Sequence, residues 1–273
     1  MPCTEELEVA LAAAQKASAA LLELYARFEV IADAPASIST DADRQSQEII
    51  LAQLHQRFPG DALCAEEETF TLRQSPQTGP RLWIVDPIDG TRGFARKMGE
   101  FSVMIGFVQD GEIAVGVVQE PAKGRLTWAV RGQGCWQRDG EGETIRSHVT
   151  ATKDLATSTL TQSHSQDPSK PSRRVQLLQP AKVIETYSAG VKLALVARGE
   201  ADIYLNTYDA VHDWDLCAGH ILVTEAGGRV TKLNGDDVHY GLPGALQQGG
   251  LLASNGRLHE AALMRINSYK NST

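Results

Sequence analysis

Residues 83–91 read Trp-Ile-Val-Asp-Pro-Ile-Asp-Gly-Thr, and no other stretch restricts the fold as much. A hydrophobic run of strand type ends in two carboxylates, Asp86 and Asp89, three residues apart. Pro87 fixes the backbone between them and Gly90 frees it immediately after. Two acids held rigidly at a strand end add little to stability. They suit hard divalent cations, which take oxygen ligands. Gly90-Thr91 then opens a helix, so free N–H groups stand beside the acids where a phosphate would be held. A plain surface turn is the competing reading, because Asp-Pro and Asp-Gly are both turn formers. The apolar strand before the acids and the Gly-Thr after them favour the cation and phosphate seat.

Around this stretch, apolar spacing sets out the elements. Leu7, Leu11, Ala14, Ala17, Leu21, Leu24 and Phe28 predict an amphipathic helix over 5–29. A loop over 30–39 follows. Thr40 with Asp43 is a variant capping box that opens a helix running to Phe58, and Pro59-Gly60 stops it. A short strand over 61–65 leads into Glu66-Glu67-Glu68, and polar residues 69–80 read as a loop. Strands over 81–85, 101–108, 112–119 and 125–130 follow, the last three an antiparallel meander with Asp110-Gly111 and Lys123-Gly124 at its turns. A domain boundary is expected near 150, dividing an N-terminal α+β unit (1–150) from a C-terminal α/β unit (151–273). Beyond it come a strand at 157–162, a polar segment to 174, a helix at 188–198 ended by Gly199, and a strand at 201–205. Asp213 and Asp215 then precede a helix at 215–226 and a strand from Arg229.

The formal charge of −8 argues against a nucleic-acid polymer or an anionic membrane surface as partner. Bound cations would still admit a small anionic substrate. The four cysteines, at 3, 64, 135 and 217, lack C-x-x-C spacing, and Glu5, Glu6 and Glu8 stand where an export signal needs positive charge. No apolar run approaches the ~20 residues that span a bilayer. The expectation is a cytoplasmic enzyme with free thiols. Neither a Gly-x-Ser-x-Gly elbow nor a phosphate-binding P-loop occurs, so serine-hydrolase and nucleotide-driven motor readings lack support.

Glu66, Asp86, Asp89 and Asp215, with the Ile88 carbonyl, are the candidate metal ligands if neighbouring strand ends bring them together. Four such charges repel strongly unless cations lie between them. Two Mg²⁺ ions roughly 3.5–4 Å apart would clamp a phosphate and activate a water. Thr91 either positions that water, with Glu66 or Asp43 orienting it, or simply caps a helix. Asp43 has the same two readings. Glu67 and Glu68 read as solvated loop acids. His220 reads as a packing or rim residue, His164 as a loop histidine within reach of substrate, and Lys192 as a solvated lysine or a contact to an anionic substrate.

Asp86-Pro-Ile-Asp-Gly-Thr91, Glu66-Glu67 after a strand, and Trp214-Asp215 before Glu225-Ala-Gly-Gly228 together resemble the inositol monophosphatase superfamily, over about residues 5–265. The resemblance implies Mg²⁺-dependent, lithium-sensitive phosphatases of α+β class, built as a layered αβαβα sandwich of the inositol monophosphatase and fructose-1,6-bisphosphatase type. It implies two or three Mg²⁺ ions held by Glu66, Asp86, Ile88 (through its carbonyl), Asp89 and Asp215. Glu66, Thr91 and Asp43 would form the catalytic set. Gly90, Thr91, His164, Lys192 and Asp215 would meet a small phosphorylated metabolite, and a homodimer is among the assemblies it suggests.

Gly99-Glu100-Phe101-Ser102-Val103, Ser163-His164-Ser165, Gly190-Val-Lys192 and Ala218-Gly219-His220 resemble the 3'(2'),5'-bisphosphate nucleotidase branch. That implies 3'-phosphoadenosine 5'-phosphate as substrate. An inositol-1-monophosphatase or another sugar or histidinol phosphate phosphatase is the alternative, and a catalytically silent ligand-binding relative is the alternative of another class. Where inositol phosphatases carry a glutamate after the Ala-Asp-x-Tyr strand, Asn206 stands here, with Asp209 the nearest acid. The chain also departs from the family in having Ile31-Ala-Asp-Ala-Pro35, without a lysine, some ten residues before Asp43.

Overall fold

The computed structural model describes residues 3–270 apart from 166, 168, 209 and 243; Asp209 therefore lies outside the described residues. The first part of the chain forms α1 (Thr4–Arg27), α2 (Asp41–Arg57), β1 (Ala62–Ala65), α3 (Phe70–Gln74), β2 (Arg81–Asp89), α4 (Thr91–Ala95), β3 (Ser102–Gln109), β4 (Glu112–Glu120), β5 (Arg125–Val130), β6 (Gly134–Asp139) and β7 (Ile145–Ser147). The seven strands pair in chain order, β1 and β2 parallel and the rest antiparallel. The second part forms β8 (Thr159–Gln162), α5 (Arg173–Leu178), β9 (Lys182–Glu185), α6 (Ala189–Ala197), β10 (Ile203–Asn206), β11 (Ala210–His212), α7 (Asp213–Glu225), β12 (Arg229–Thr231), β13 (Leu246–Gln248), β14 (Leu251–Ser254) and α8 (His259–Lys270). Its main sheet runs β12-β14-β10-β8-β9, and β11 pairs with β13 apart from it.

Three apolar clusters stack these elements into five layers. Ala10, Ala13, Ala14, Ala17 and Leu21 of α1 join Ile50, Leu51 and Leu54 of α2 against Trp83, Val85, Val103 and Ile105 on one face of the first sheet. The opposite face, through Ile84, Met104 and Val118, meets α6 and α7. The second sheet covers those helices in turn, and its far side packs Leu205 and Leu252 on Leu178 of α5 and Ala262 and Ile266 of α8. This is the layered αβαβα architecture, and the strand alternation it needs is present in β2 and β3.

Small residues let the middle layer lie close to its neighbours. A Cβ on Gly106 of β3 would come within 2.6 Å of Cys217 Sγ, and one on Gly116 of β4 within 2.5 Å of the Ala218 carbonyl oxygen. A Cβ on Gly219 would stand 2.6 Å from Leu193 Cβ of α6. These close approaches draw the start of α7, with Asp215, toward the strand ends of the first sheet.

A buried ion network ties the second part of the chain to the first. Arg198, at the end of α6, donates through Nη1 to Glu120 Oε1 of β4 at 2.9 Å and to Thr127 Oγ1 of β5 at 2.9 Å. Its side chain is fully enclosed, as is that of Glu120. Arg198 Nε also meets Glu200, which pairs with Arg125 at 3.0 Å.

Several short elements lie outside the apolar spacing of the sequence. The expected loop over 69–80 contains α3, and the Gly-rich stretch before residue 150 forms β6 and β7. The polar segment to 174 leads into α5 and β9, and β2 continues through Asp89 instead of ending at 85. Exposed edge strands and one-turn helices carry little apolar periodicity for a sequence pattern to register. Among the described residues, no helix is long and apolar enough to cross a membrane.

Replacing Arg198 by leucine is expected to cost about 3 kcal/mol, because it leaves the buried Glu120 carboxylate with only the half-exposed Lys123, 3.2 Å away, as its charge partner. Urea unfolding of wild type and Arg198→Leu measures this; equal midpoints would show that the network contributes nothing.

Candidate active site

In a regular strand, residues three apart point to opposite faces. Asp86 and Asp89 nevertheless share a site, because the β2–β3 pairing shifts register between them. The Asp86 carboxylate accepts the Ile88 N–H at 3.0 Å, which fixes the bend. Gly90 follows at φ 86°, and a Cβ there would come within 2.7 Å of the Glu100 carbonyl oxygen, so the turn requires glycine. Gly93 N and Phe94 N reach the Gly90 carbonyl at 2.7 and 3.1 Å, so the Thr91 and Arg92 amides precede the first bond of α4.

Asp215 arrives from the first turn of α7, its carboxylate accepting the His212 N–H at 2.6 Å. Carboxylate oxygens of Asp86, Asp89 and Asp215 all lie within 4.8 Å of one another. Glu66 does not join that trio at the same distance. It forms a second group with Asp43 and Glu67, also within 4.8 Å. Glu67 is thus no free loop acid: it accepts from Ser39 Oγ at 2.5 Å, and Arg44 lies 3.8 Å away.

Asp43 bonds to two neighbours at once. Its Oδ2 accepts from Thr40 N and Thr40 Oγ1 at 2.8 and 2.7 Å, closing the α2 cap, while Oδ1 faces Thr91 Oγ1 at 2.9 Å. The Ile88 carbonyl stands equally close to the Thr91 hydroxyl, at 2.9 Å. A hydroxyl has one proton, so it donates to one of these at a time.

Asp89 receives the start of α6. Its Oδ1 accepts from Ala189 N at 3.0 Å, and its Oδ2 accepts from Gly190 N at 2.6 Å, from Ser102 Oγ at 3.2 Å and from Ser188 Oγ. No sequence spacing announces Ser188, about a hundred positions away. The N-cap signature ahead of α6 was its one legible trace.

The cluster is electrostatically unsatisfied. Burial first, then Glu66, Asp89 and Asp215, raise Asp86 well above the ordinary carboxylate range. Burial pushes Asp215 up to about 7, with Asp89 adding to it. Glu66 is reached by solvent through the pocket mouth yet ringed by protein. That enclosure, then Asp43 and Asp215, push it up to about 8. Convergent carboxylates that resist ionisation alone are the donor set a hard cation completes, so these residues fit divalent metal ions.

A cavity of about 910 Å³ opens above the acids, lined among others by Glu66, Thr91, His164, Lys192, Asn206 and Asp215. His164 is held from two sides, Nε2 at 2.7 Å from Glu100 and Nδ1 at 3.5 Å from Glu185, with its ring 4.6 Å from that of Tyr187. Lys192 is buried, not solvated, with Nζ 3.1 Å from both Ser163 Oγ and the Tyr187 carbonyl oxygen. Asn206 turns its side-chain oxygen to Tyr208 N at 2.9 Å. His220 packs elsewhere, against Tyr240. Arg92 and Arg174 also line the cavity and were not anticipated. Arg92 directly follows Thr91 in the acid-turn motif, which offered a clue; Arg174 sits in a polar stretch without one.

The profile of the inositol monophosphatase family matches residues 3–271. The chain is 33% identical to a histidinol-phosphatase from Mycobacterium tuberculosis, over 97% of its own length and 98% of the relative's. It is 31% identical to a fructose-1,6-bisphosphatase/inositol-1-monophosphatase from Thermotoga maritima, over 84% and 82%. A solved structure of a Thermotoga maritima IMPase superposes with a TM-score of 0.82 at 26% identity, covering 98% of this chain and 99% of that one.

Without cations, the folded protein holds protons on Glu66 and Asp215 that the unfolded chain, at ordinary values of 4.5 and 3.8, has released. Stability of the metal-free protein is therefore expected to fall as pH rises from about 4 to about 8. Mg²⁺ should raise the melting temperature more at pH 8 than at pH 5. Calorimetric melts across that range check both; a flat, Mg²⁺-insensitive profile would remove the acids from any cation site.

Proposed function

The chain belongs to the inositol monophosphatase family, a family of metal-dependent phosphatases, and we propose that it hydrolyses a small phosphomonoester, 3'-phosphoadenosine 5'-phosphate first among them. The observation that carries the hydrolytic reading is the meeting of Asp86, Asp89 and Asp215 oxygens within 4.8 Å beside a Thr91 hydroxyl anchored on Asp43.

Mg²⁺ ions held by Asp86, Asp89, Asp215, Glu66 and the Ile88 carbonyl would supply Lewis-acid charge to a phosphoryl group and acidify a nearby water. The residues of the chain do the rest. When Thr91 donates to Asp43, its lone pairs face away from that acid and accept a hydrogen bond from a water in the pocket. Glu66, open to the cavity, takes the other proton of that water in its ionised form. Asp43 acts through Thr91 and is a positioning residue. The Thr91 amide, ahead of the first bond of α4, meets the phosphate together with that of Gly90.

The nucleotide reading is supported by a cavity of about 910 Å³ with cationic Arg92, Arg174 and Lys192 on its walls, and aromatic Tyr187 and Tyr208 beside them. Asn206 in place of an acid disfavours a ring of neutral hydroxyls at that wall. A second reading, histidinol phosphate, is favoured by one feature. Glu100 and Glu185 flank His164 at the pocket wall and would suit a cationic amine, and the 33% identical relative is named for that activity. A cytoplasmic location accords with both substrates.

Phosphate release in Mg²⁺ from 3'-phosphoadenosine 5'-phosphate, histidinol phosphate, inositol 1-phosphate and fructose 1,6-bisphosphate is the test. The nucleotide is expected to give the highest kcat/KM, and a higher value for histidinol phosphate would replace the substrate. Asp215→Asn, whose side-chain oxygen can still accept the His212 N–H, should lower kcat by at least roughly a hundredfold while the melt of the metal-free protein stays cooperative. Turnover of none of the four would end the enzymatic reading in favour of a silent binding relative.

A further inference from the structure

We propose that Arg174 and Lys192 form a seat for a second anionic group of the substrate, a phosphate remote from the one that is hydrolysed. The proposal rests on reading the cavity as a phosphomonoesterase site. It adds the residues that would distinguish a bisphosphate from a monophosphate.

Arg174 stands in the first turn of α5. Ser172 caps that helix, accepting the Val175 N–H at 3.3 Å, and donates to Gln162 Oε1 at the end of β8 at 2.6 Å. The start of α5 is thereby pinned to the cavity wall. The Arg174 guanidinium lies over the Tyr208 ring, 5.5 Å from its centre, and its Nε is buried without a hydrogen-bond partner. Leaving a buried donor unmade is costly, and the cost is recovered when an acceptor arrives.

Lys192 faces the same space from α6. Its ammonium lies 5.2 Å from the centre of the Tyr204 ring, and its contacts to Ser163 Oγ and the Tyr187 carbonyl account for two of three protons. Burial, and the nearby Arg174 charge acting against the pull of Asp89, bring the lysine down to about 8. The direct contact partners of the two cations are a hydroxyl, a carbonyl and two aromatic faces, while Asp89, Asp215 and Glu100 act on Lys192 from farther off. Two like charges that repel in an enclosed wall are a poor structural device, and an anion between them satisfies both. The planar guanidinium fork suits phosphate in particular. The cavity is then polarised, with cation-binding acids on its floor and an anion seat on the wall of α5 and α6. Such polarity selects a substrate carrying two phosphates, one for each end.

A matched pair isolates the second phosphate: 3'-phosphoadenosine 5'-phosphate and adenosine 3'-phosphate differ only in the 5' group. Steady-state phosphate release is measured for wild type, Arg174→Gln and Arg174→Lys. Arg174→Gln is expected to raise KM for the bisphosphate by about tenfold or more, with kcat little changed and KM for the monophosphate unmoved. Arg174→Lys should restore part of the preference. An equal rise in both KM values, or no rise in either, overturns the seat. If wild type hydrolyses neither nucleotide, calorimetric binding of the same pair still decides it. Tighter binding of the bisphosphate that Arg174→Gln abolishes supports the seat, even though the hydrolytic reading has then failed; equal binding of the pair overturns it.

Discussion

The arrangement of the candidate site depends on how Asp89 is held. It sits at the end of β2 in the first sheet, yet four donors from two directions converge on its carboxylate: the amides of Ala189 and Gly190, and the hydroxyls of Ser188 and Ser102. One acid thus closes the N-terminus of a helix in the middle layer while facing Asp86 and Asp215. Negative charge at a helix start is favourable on its own account. The Asp89 carboxylate and the cavity wall of α6 are consequently a single mechanical unit. Where α6 goes, Asp89 goes, and Lys192 with it.

Around that unit the fold accumulates unsatisfied charge and distributes it by sign. Acids gather at the strand ends of β1 and β2 and the first turn of α7, where burial and mutual repulsion resist ionisation. Cations gather on the α5–α6 side. A core built for stability alone would avoid both groupings. The Glu120–Arg198 network, by contrast, is matched charge for charge and serves to join the two sheets' layers. Paired opposite charges and like-charge groupings therefore lie in different places, one set joining layers and the other facing the cavity.

Much of this was legible from spacing. The Asp-Pro-Ile-Asp-Gly-Thr run, the capping pattern at Thr40 and Asp43, and the apolar periodicity of α1 are local features, set by neighbours within a turn or two. Asp215 was legible as an acid at a helix start. The Glu66 grouping with Asp43 and Glu67 was not, because Glu67 is placed by distant partners, its carboxylate by Ser39 and its backbone N–H by Gln47. Ser188 on Asp89 is a contact spanning about a hundred residues. Arg174 belongs to a six-residue helix amid polar sequence, where neither periodicity nor a motif marks it. Local chemistry was readable; the partners delivered by tertiary packing were not.

The divided carboxylate of Asp43 carries one more implication. One oxygen takes both donors of the helix cap and the other faces the Thr91 hydroxyl. An asparagine there would have to choose. With its oxygen on the cap, its NH₂ would confront Thr91, the hydrogen bond would reverse, and the hydroxyl proton would turn to the Ile88 carbonyl. One of the two lone pairs that should greet a water would then be occupied. With the amide flipped, two donors would collide at the cap instead. Neither orientation of the isostere serves both neighbours, so the position is closed to the most conservative change available. In the first orientation the cap survives and only the Thr91 contact is lost, so Asp43→Asn is expected to lower activity more than stability.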